Sequence, residues 1–108
     1  MELLGVTTRQ AVYDLVSRRR LLGLPRRGGS MAFPAFQLDA DTGRTYDAVP
    51  VVLNAFAVAG VDPYTVATWL ATAQDELDGR SPASLLADPA AASKVQAAAE
   101  RTAARLSH

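Results

Sequence analysis

Three dipeptides in the second half of the chain place a helix-capping residue directly before proline: Asp62-Pro63, Ser81-Pro82 and Asp88-Pro89. Each pair marks the start of a helix, because the Asp or Ser side chain accepts a hydrogen bond from a free amide and proline suits the first helical turn. The chain beyond residue 46 is therefore divided into short helices, and the pattern excludes one long helix.

Apolar spacing predicts four helices between residues 46 and 108. The first ends at Gly60, a typical residue after a helix, and its apolar stripe is Val49, Val52, Leu53, Phe56 and Ala57. The second has the stripe Val66, Trp69, Leu70 and Ala73, and a short third helix carries Leu85 and Leu86. The last helix, from about residue 90 to residue 106, has two large apolar residues, Val95 and Leu106. We therefore expect it to be weakly anchored and to depend on a partner for its order.

The first 45 residues predict a helix followed by a β-hairpin. The helix has the apolar face Ala11, Val12, Leu15 and Val16 and closes at residues 18–20, three arginines. Two apolar runs, residues 21–25 and 31–38, flank a Gly-Gly tip, and both contain proline, which is typical of edge strands. The predicted fold class is α+β, mostly α, with this helix and hairpin followed by a bundle of about four short helices.

Charge is unevenly distributed along the chain. Residues 1–38 carry six arginines and two acidic residues, whereas residues 39–108 carry five basic and nine acidic residues. This asymmetry predicts two surfaces with different partners. The sequence has no cysteine, no signal-like start and no apolar run near the roughly 18 residues of a membrane-spanning helix. We therefore expect a cytoplasmic protein with no membrane partner.

The N-terminal helix and the arginine-tipped hairpin resemble the recognition helix and wing of a winged helix-turn-helix. The chain leaves no room for the helix that normally precedes the turn, so we expect a partial motif. The residues expected to contact DNA are Arg9, Gln10, Tyr13, Arg18, Arg19, Arg20, Arg26 and Arg27. A solvated basic face explains the same residues equally well, and both interpretations stay open.

The sequence shows no catalytic constellation. The single histidine is the last residue, His108, and no Ser/His/Asp set, phosphate loop or metal-ligand cluster is present. Asp75, Glu76 and Asp78 cluster in a polar link, where a solvated charge run is the simpler interpretation. We expect a protein that is not an enzyme and that uses no cofactor and no metal.

Several motifs, taken in order, resemble the Xre/MbcA/ParS toxin-binding family of antitoxins. They are the segment 33–37 (FPAFQ), the pair Trp69-Leu70, and the segment 77–82 (LDGRSP) followed by Leu85-Leu86. Residues 5–16 together with residues 20–22 are similar to the DNA-reading part of such proteins. The resemblance spans roughly residues 4 to 100.

The resemblance implies a type II antitoxin that binds a NAD-degrading RES-domain toxin and occludes its active site. Residues 1–45 would be a partial winged-helix, DNA-binding-like region that contacts operator DNA, and residues 46–108 a helical toxin-binding domain. The implied toxin-binding residues are Trp69, Leu77, Gly79, Arg80, Ser81, Pro82, Leu85, Leu86, Lys94, Arg101 and Arg105. Removal of residues 94–108 is then expected to abolish neutralisation and to leave the other helices folded.

Other assemblies and functions stay open. Because an isolated hairpin is marginal in water, we expect Phe33, Phe36 and Leu38 to pack on the helices or to pair across a homodimer. A stand-alone transcription regulator of the excisionase or MerR type, with helices that serve dimerisation, is the main alternative function. An adaptor that binds an unrelated protein through the Trp69 region is a third.

Overall fold

The computed structural model describes residues 9–106 and shows a mostly helical α+β fold, which confirms the predicted fold class. The elements, in chain order, are α1 (Arg9–Ser17), β1 (Leu24–Pro25), β2 (Met31–Ala32), α2 (Ala48–Val58), α3 (Pro63–Ala71) and α4 (Ala92–Leu106). The two strands form an antiparallel hairpin, and 3₁₀ turns connect the later helices. Within this described range, every helix is too short or too polar to cross a membrane.

The three cap-and-proline pairs start helical turns, as the sequence predicts. The Asp62 carboxylate accepts hydrogen bonds from two amides in the first turn of α3, at 2.9 and 3.2 Å. Ser81 and Asp88 cap the 3₁₀ turns Pro82–Leu85 and Pro89–Ala91 in the same way. The second of these turns runs directly into α4. The short third helix of the sequence prediction is thus a 3₁₀ turn.

The end of α2 confirms the role predicted for Gly60. This residue has a φ of 73°, in the left-handed region that favours glycine. Its amide donates to the carbonyl of Ala57, and the next amide donates to the carbonyl of Phe56, both at 3.0 Å. This pair of bonds is the Schellman arrangement, which satisfies the last carbonyls of the helix.

The end of α3 differs from the prediction. The side-chain amide of Gln74 donates to the carbonyls of Trp69 and Thr72, at 3.2 and 3.1 Å, and so satisfies the C-terminal end of the helix. The helix therefore stops at Ala71, and Ala73 lies exposed beyond it. The assignment of Ala73 to the apolar stripe is wrong.

α4 packs along α2 at the centre of the core, and the expectation of a weakly anchored last helix is wrong. Its residues Val95, Ala98 and Ala99 are completely buried. Alanines let two helix backbones approach closely, so a helix with few large apolar side chains can still bury a broad face. Leu106, in contrast, is 48% exposed and does not belong to that face. Removal of residues 94–108 would uncover α2, so the other helices are not expected to stay folded.

The hairpin is shorter than the predicted apolar runs. Leu24 pairs with Ala32 and Pro25 pairs with Met31, after which the chain leaves the sheet and enters the 3₁₀ turn Ala35–Gln37. Pro34 precedes this turn and has no amide to donate to a ladder, which explains the early end of the strand. Phe36 packs against the helical core, as predicted.

Candidate partner-binding groove

An open groove lies where α3 meets the C-terminal end of α4. It has a volume of about 380 Å³ and is lined by Tyr64, Thr65, Thr68, Trp69, Thr72, Gln74 and Leu106. We call this set the Trp69 groove. Tyr64 and Thr68 lie four residues apart on α3, and Thr72 follows at the same interval just beyond its end, so a single face of that helix supplies much of the lining.

Trp69 has a buried donor without an acceptor. The side chain is 6% exposed and meets the ring of Phe56 edge to face, with ring centroids 5.2 Å apart. The indole Nε1 is buried and has no hydrogen-bond partner among the described residues. Because this nitrogen is buried, a partner in the groove would not reach it without movement of the surrounding side chains.

The groove also exposes two large side chains. Tyr64 is 51% exposed and Leu106 is 48% exposed. The Tyr64 hydroxyl donates to the carbonyl of Pro25, which holds this residue against the hairpin. Leu106 lies in the last turn of α4, where its exposed surface is available to a partner.

Most hydrogen-bond donors in the lining are already used within the protein. The Thr68 hydroxyl donates to the Tyr64 carbonyl at 3.0 Å, and the Thr72 hydroxyl donates to the Thr68 carbonyl at 2.6 Å. Gln74 is occupied at the end of α3, as described above. The groove therefore offers a partner mainly apolar contact.

The structure buries five of the eleven residues implied as toxin-binding. Their side chains lie in the core, at 7% exposure or less for Trp69, Leu77, Leu85 and Leu86, and Pro82 is also buried. Because these side chains are buried, they are not positioned to contact a toxin directly. A small domain has few large apolar residues, and it needs these for its core. Trp69 alone combines this packing role with a place in the groove.

The remaining implied residues lie at the surface. Gly79, Arg80, Lys94, Arg101 and Arg105 are exposed, and Ser81 is half-buried. Arg80 and Lys94 line one small cleft, beside the edges of Leu77 and Leu85. The structure thus brings part of the implied set together, away from the Trp69 groove.

Two of the implied arginines on α4 already have partners within the protein. Arg101 Nε lies 2.7 Å from a carboxylate oxygen of Glu76, and so ties α4 to the 3₁₀ turn Asp75–Leu77. Arg105 donates to the Thr102 hydroxyl at 3.2 Å. A toxin that contacts either guanidinium would compete with these bonds.

Sequence reasoning found one residue of the Trp69 groove and missed the rest. The signal that was present is the spacing of Tyr64, Thr68 and Thr72, which marks the face of α3 opposite its apolar stripe. Nothing local indicates that the end of α4 lies against this face.

The residues expected to contact DNA are mostly exposed, apart from half-buried Tyr13, and the Arg9 side chain lies outside the described part of the structure. Arg18 forms an ion pair with Asp14 at 3.1 Å, and Arg19 donates to the Asn54 side chain at 3.1 Å. Arg20, Arg26 and Arg27 form no side-chain hydrogen bond or ion pair with residues 9–106. The segment before Arg9, where the turn of a winged helix-turn-helix would lie, also lies outside the described residues.

α1 and the hairpin border one cleft. Tyr13 shares a cleft with Gly28, Gly29 and Ser30 of the hairpin tip. A Cβ on Gly23 would lie 2.4 Å from the Met31 sulfur and 3.1 Å from a methyl group of Val16, so glycine leaves space here for a hairpin side chain and for a side chain of α1.

No family model, curated protein or solved structure matches this chain. Among residues 9–106, no group of three or more His, Cys, Asp or Glu side chains is arranged to hold a metal ion.

Proposed function

We propose that this protein is an antitoxin that binds a NAD-degrading RES-type toxin and occludes its active site. The observation that carries the proposal is the Trp69 groove, an open and largely apolar groove beside the exposed end of α4. The motifs that resemble the toxin-binding family suggest the class of partner, and the groove offers a surface on which such a partner would fit.

The groove has the physical features of a protein-binding hot spot. Its exposed apolar surface, from Tyr64 and Leu106, would be covered by the partner, and its tryptophan is of the residue type most enriched at such sites. Binding here leaves the core of the antitoxin unchanged.

Co-expression with the product of the adjacent gene, which the proposal expects to be a RES-type toxin, tests this function. Cells that express both proteins are expected to survive, and the two proteins are expected to purify as a complex. If the toxin remains lethal and no complex forms, the proposal is wrong.

A pair of exposed substitutions tests the surface. Leu106→Asp places a charge in the groove, and we expect at least a tenfold weaker complex, equivalent to about 1.4 kcal/mol, with loss of protection. Val58→Asp is the matched control, because Val58 is 75% exposed on α2 and is not among the lining residues. Equal protection by both variants would show that the toxin does not use the Trp69 groove.

We propose, as a second function, that the basic N-terminal part binds operator DNA, and that the protein thereby represses its own operon. Arg20, Arg26 and Arg27 favour this function, because their exposed guanidinium groups have no acidic partner among residues 9–106 and can contact phosphates. A promoter fragment should bind and lose affinity steeply as salt rises. Binding to DNA without any toxin complex would instead favour the stand-alone regulator.

A further inference from the structure

A second cleft, on the N-terminal side of the molecule, brings together two arginines that are distant in sequence. It has a volume of about 260 Å³ and is lined by Leu15, Arg20, Arg44, Thr45, Tyr46, Asp47 and Pro50. We call it the Arg20 cleft. Arg20 follows α1, and Arg44 ends the polar turn that precedes α2. None of the lining residues is shared with the Trp69 groove.

Neither guanidinium has a partner among the described residues. Arg18, Arg19 and Arg101 each bond to a neighbouring side chain, whereas Arg20 and Arg44 make no such bond although both face one cleft. Two cations that line one cleft repel each other, and an anion bound in the cleft would offset this repulsion. Asp47 also lines the cleft but forms no ion pair with either arginine, so the local charge remains positive.

The backbone on both sides of the cleft is held in place. The Arg20 amide donates to the Leu15 carbonyl at 3.0 Å, and the Arg44 carbonyl accepts from the Asp39 amide at 2.8 Å. Both arginines therefore start from ordered main chain, which lowers the entropy that a ligand must remove on binding.

Arg20 also follows a strained residue. Arg19 has a φ of 61°, in the left-handed region that non-glycine residues rarely adopt. The Arg19 amide donates to the Val16 carbonyl and the Arg20 amide donates to the Leu15 carbonyl, both at 3.0 Å, so Arg19 ends α1 in the same Schellman arrangement in which Gly60 ends α2. In this conformation the chain turns back at the end of α1, and Arg20 comes to line the same cleft as Leu15.

We infer that the Arg20 cleft binds a phosphate group. The planar guanidinium fork matches phosphate oxygens in a two-point contact, and two such forks from separate segments would grip one phosphate from two sides. The phosphate is carried either by the DNA backbone or by a free phosphate compound. If the phosphate belongs to DNA, the inference rests on the proposed operator binding and adds Arg44 to the residues that contact DNA. If the phosphate belongs to a free compound, the inference does not depend on operator binding.

Two probes distinguish these sources. Fluorescence anisotropy with a labelled duplex of random sequence at low salt measures backbone binding, and NMR titration with inorganic phosphate follows the amides of Thr45, Tyr46 and Asp47. For the duplex, Arg44→Ala is expected to lower affinity about tenfold and to reduce the slope of log affinity against log salt by about one. Arg20→Ala is expected to act in the same direction.

Asp47→Asn is expected to change the binding affinity in the opposite direction from the arginine substitutions. Removal of this carboxylate should strengthen binding of both probes, and it removes no helix cap because the Asp47 side chain makes no capping hydrogen bond. Arg80→Ala is the matched control, since Arg80 is an exposed arginine that does not line the cleft. Circular dichroism establishes that each variant is folded. If an alanine variant does not fold, Arg44→Lys and Asp47→Asn carry the test.

The possible outcomes distinguish phosphate binding in the Arg20 cleft from the proposed operator binding. Phosphate binding that depends on Arg44, without binding to DNA, would support the cleft and contradict operator binding. DNA binding that is unchanged in both Arg20→Ala and Arg44→Ala, together with no phosphate binding that depends on Arg44, would support DNA binding by other residues and overturn the cleft. If the wild-type protein binds neither the duplex nor inorganic phosphate, the inference is also wrong.

Discussion

Gln37 pairs through its side chain with both backbone groups of Leu22. Its Oε1 accepts from the Leu22 amide and its Nε2 donates to the Leu22 carbonyl, each at 2.9 Å. Gln37 is completely buried, and its own carbonyl accepts from the Tyr46 amide at 3.1 Å. One polar side chain thus joins the segment after α1 to the segment before α2, much as a strand pairing would.

Replacement of Gln37 is therefore expected to destabilise the protein strongly. Gln37→Leu leaves the amide and the carbonyl of Leu22 buried without partners, and we expect the free energy of unfolding to fall by about 2–4 kcal/mol. Chemical denaturation measures this change. The matched control is Gln96→Leu, an exposed glutamine on α4, with an expected change within about 0.5 kcal/mol. Similar effects of the two substitutions would show that the bonds to Leu22 contribute little.

Arg19 offers a stabilising substitution. The left-handed conformation costs roughly 1–2 kcal/mol in a residue with a Cβ, whereas its exposed hydrogen bond to Asn54 contributes little. We therefore expect Arg19→Gly to raise the free energy of unfolding by about 0.5–1 kcal/mol. Arg19→Ala loses the same hydrogen bond but keeps the strain, so it should not stabilise. A stabilised alanine variant would contradict this explanation.

Asp62 should make stability depend on pH. The Thr65 hydroxyl, which donates to the carboxylate at 2.6 Å, lowers the pKa of Asp62 below its ordinary value, and the amides of Thr65 and Tyr64 add to this effect. Because the pKa is lower in the folded state, the stabilisation is complete above the unfolded pKa of about 4 and is lost as pH falls through the folded pKa.

The measurement compares melting temperatures of the wild type and Asp62→Asn between about pH 7 and pH 3. The wild type should be the more stable at neutral pH, and the difference should narrow below about pH 4. Asp75→Asn, which removes an exposed carboxylate that caps no helix, controls for the loss of one negative charge. A difference that stays constant across this range would contradict the prediction.

Local chemistry explains which parts of the fold the sequence predicts correctly. Asp62, Ser81 and Asp88 act on amides within their own turn, and Gly60 acts on the last carbonyls of its own helix. Signals of this kind need no knowledge of the rest of the molecule. The helix starts, the end of α2 and the hairpin follow from them.

Burial and grooves depend on the tertiary arrangement, and here the sequence misleads. Gln37 is a polar residue whose neighbours in the chain give no sign that its amide is buried against Leu22. Leu85 and Leu86 match a motif of a binding surface, yet the core requires them. The Trp69 groove exists only because α4 ends beside α3, which no local pattern encodes.

Two alanines on α4 allow the anchoring of this helix to be tested directly. Ala98 is completely buried, whereas Ala104 is exposed. Ala98→Leu forces extra methyl groups into a packed interface and should lower the free energy of unfolding by about 1–3 kcal/mol. Ala104→Leu adds the same volume at the surface, so its effect should stay within about 0.5 kcal/mol. Because both substitutions have the same helix propensity effect, the difference measured by chemical denaturation isolates packing. If the Ala98→Leu and Ala104→Leu variants are equally stable, α4 is only loosely packed. The close approach of its alanines to α2 would then not anchor the helix.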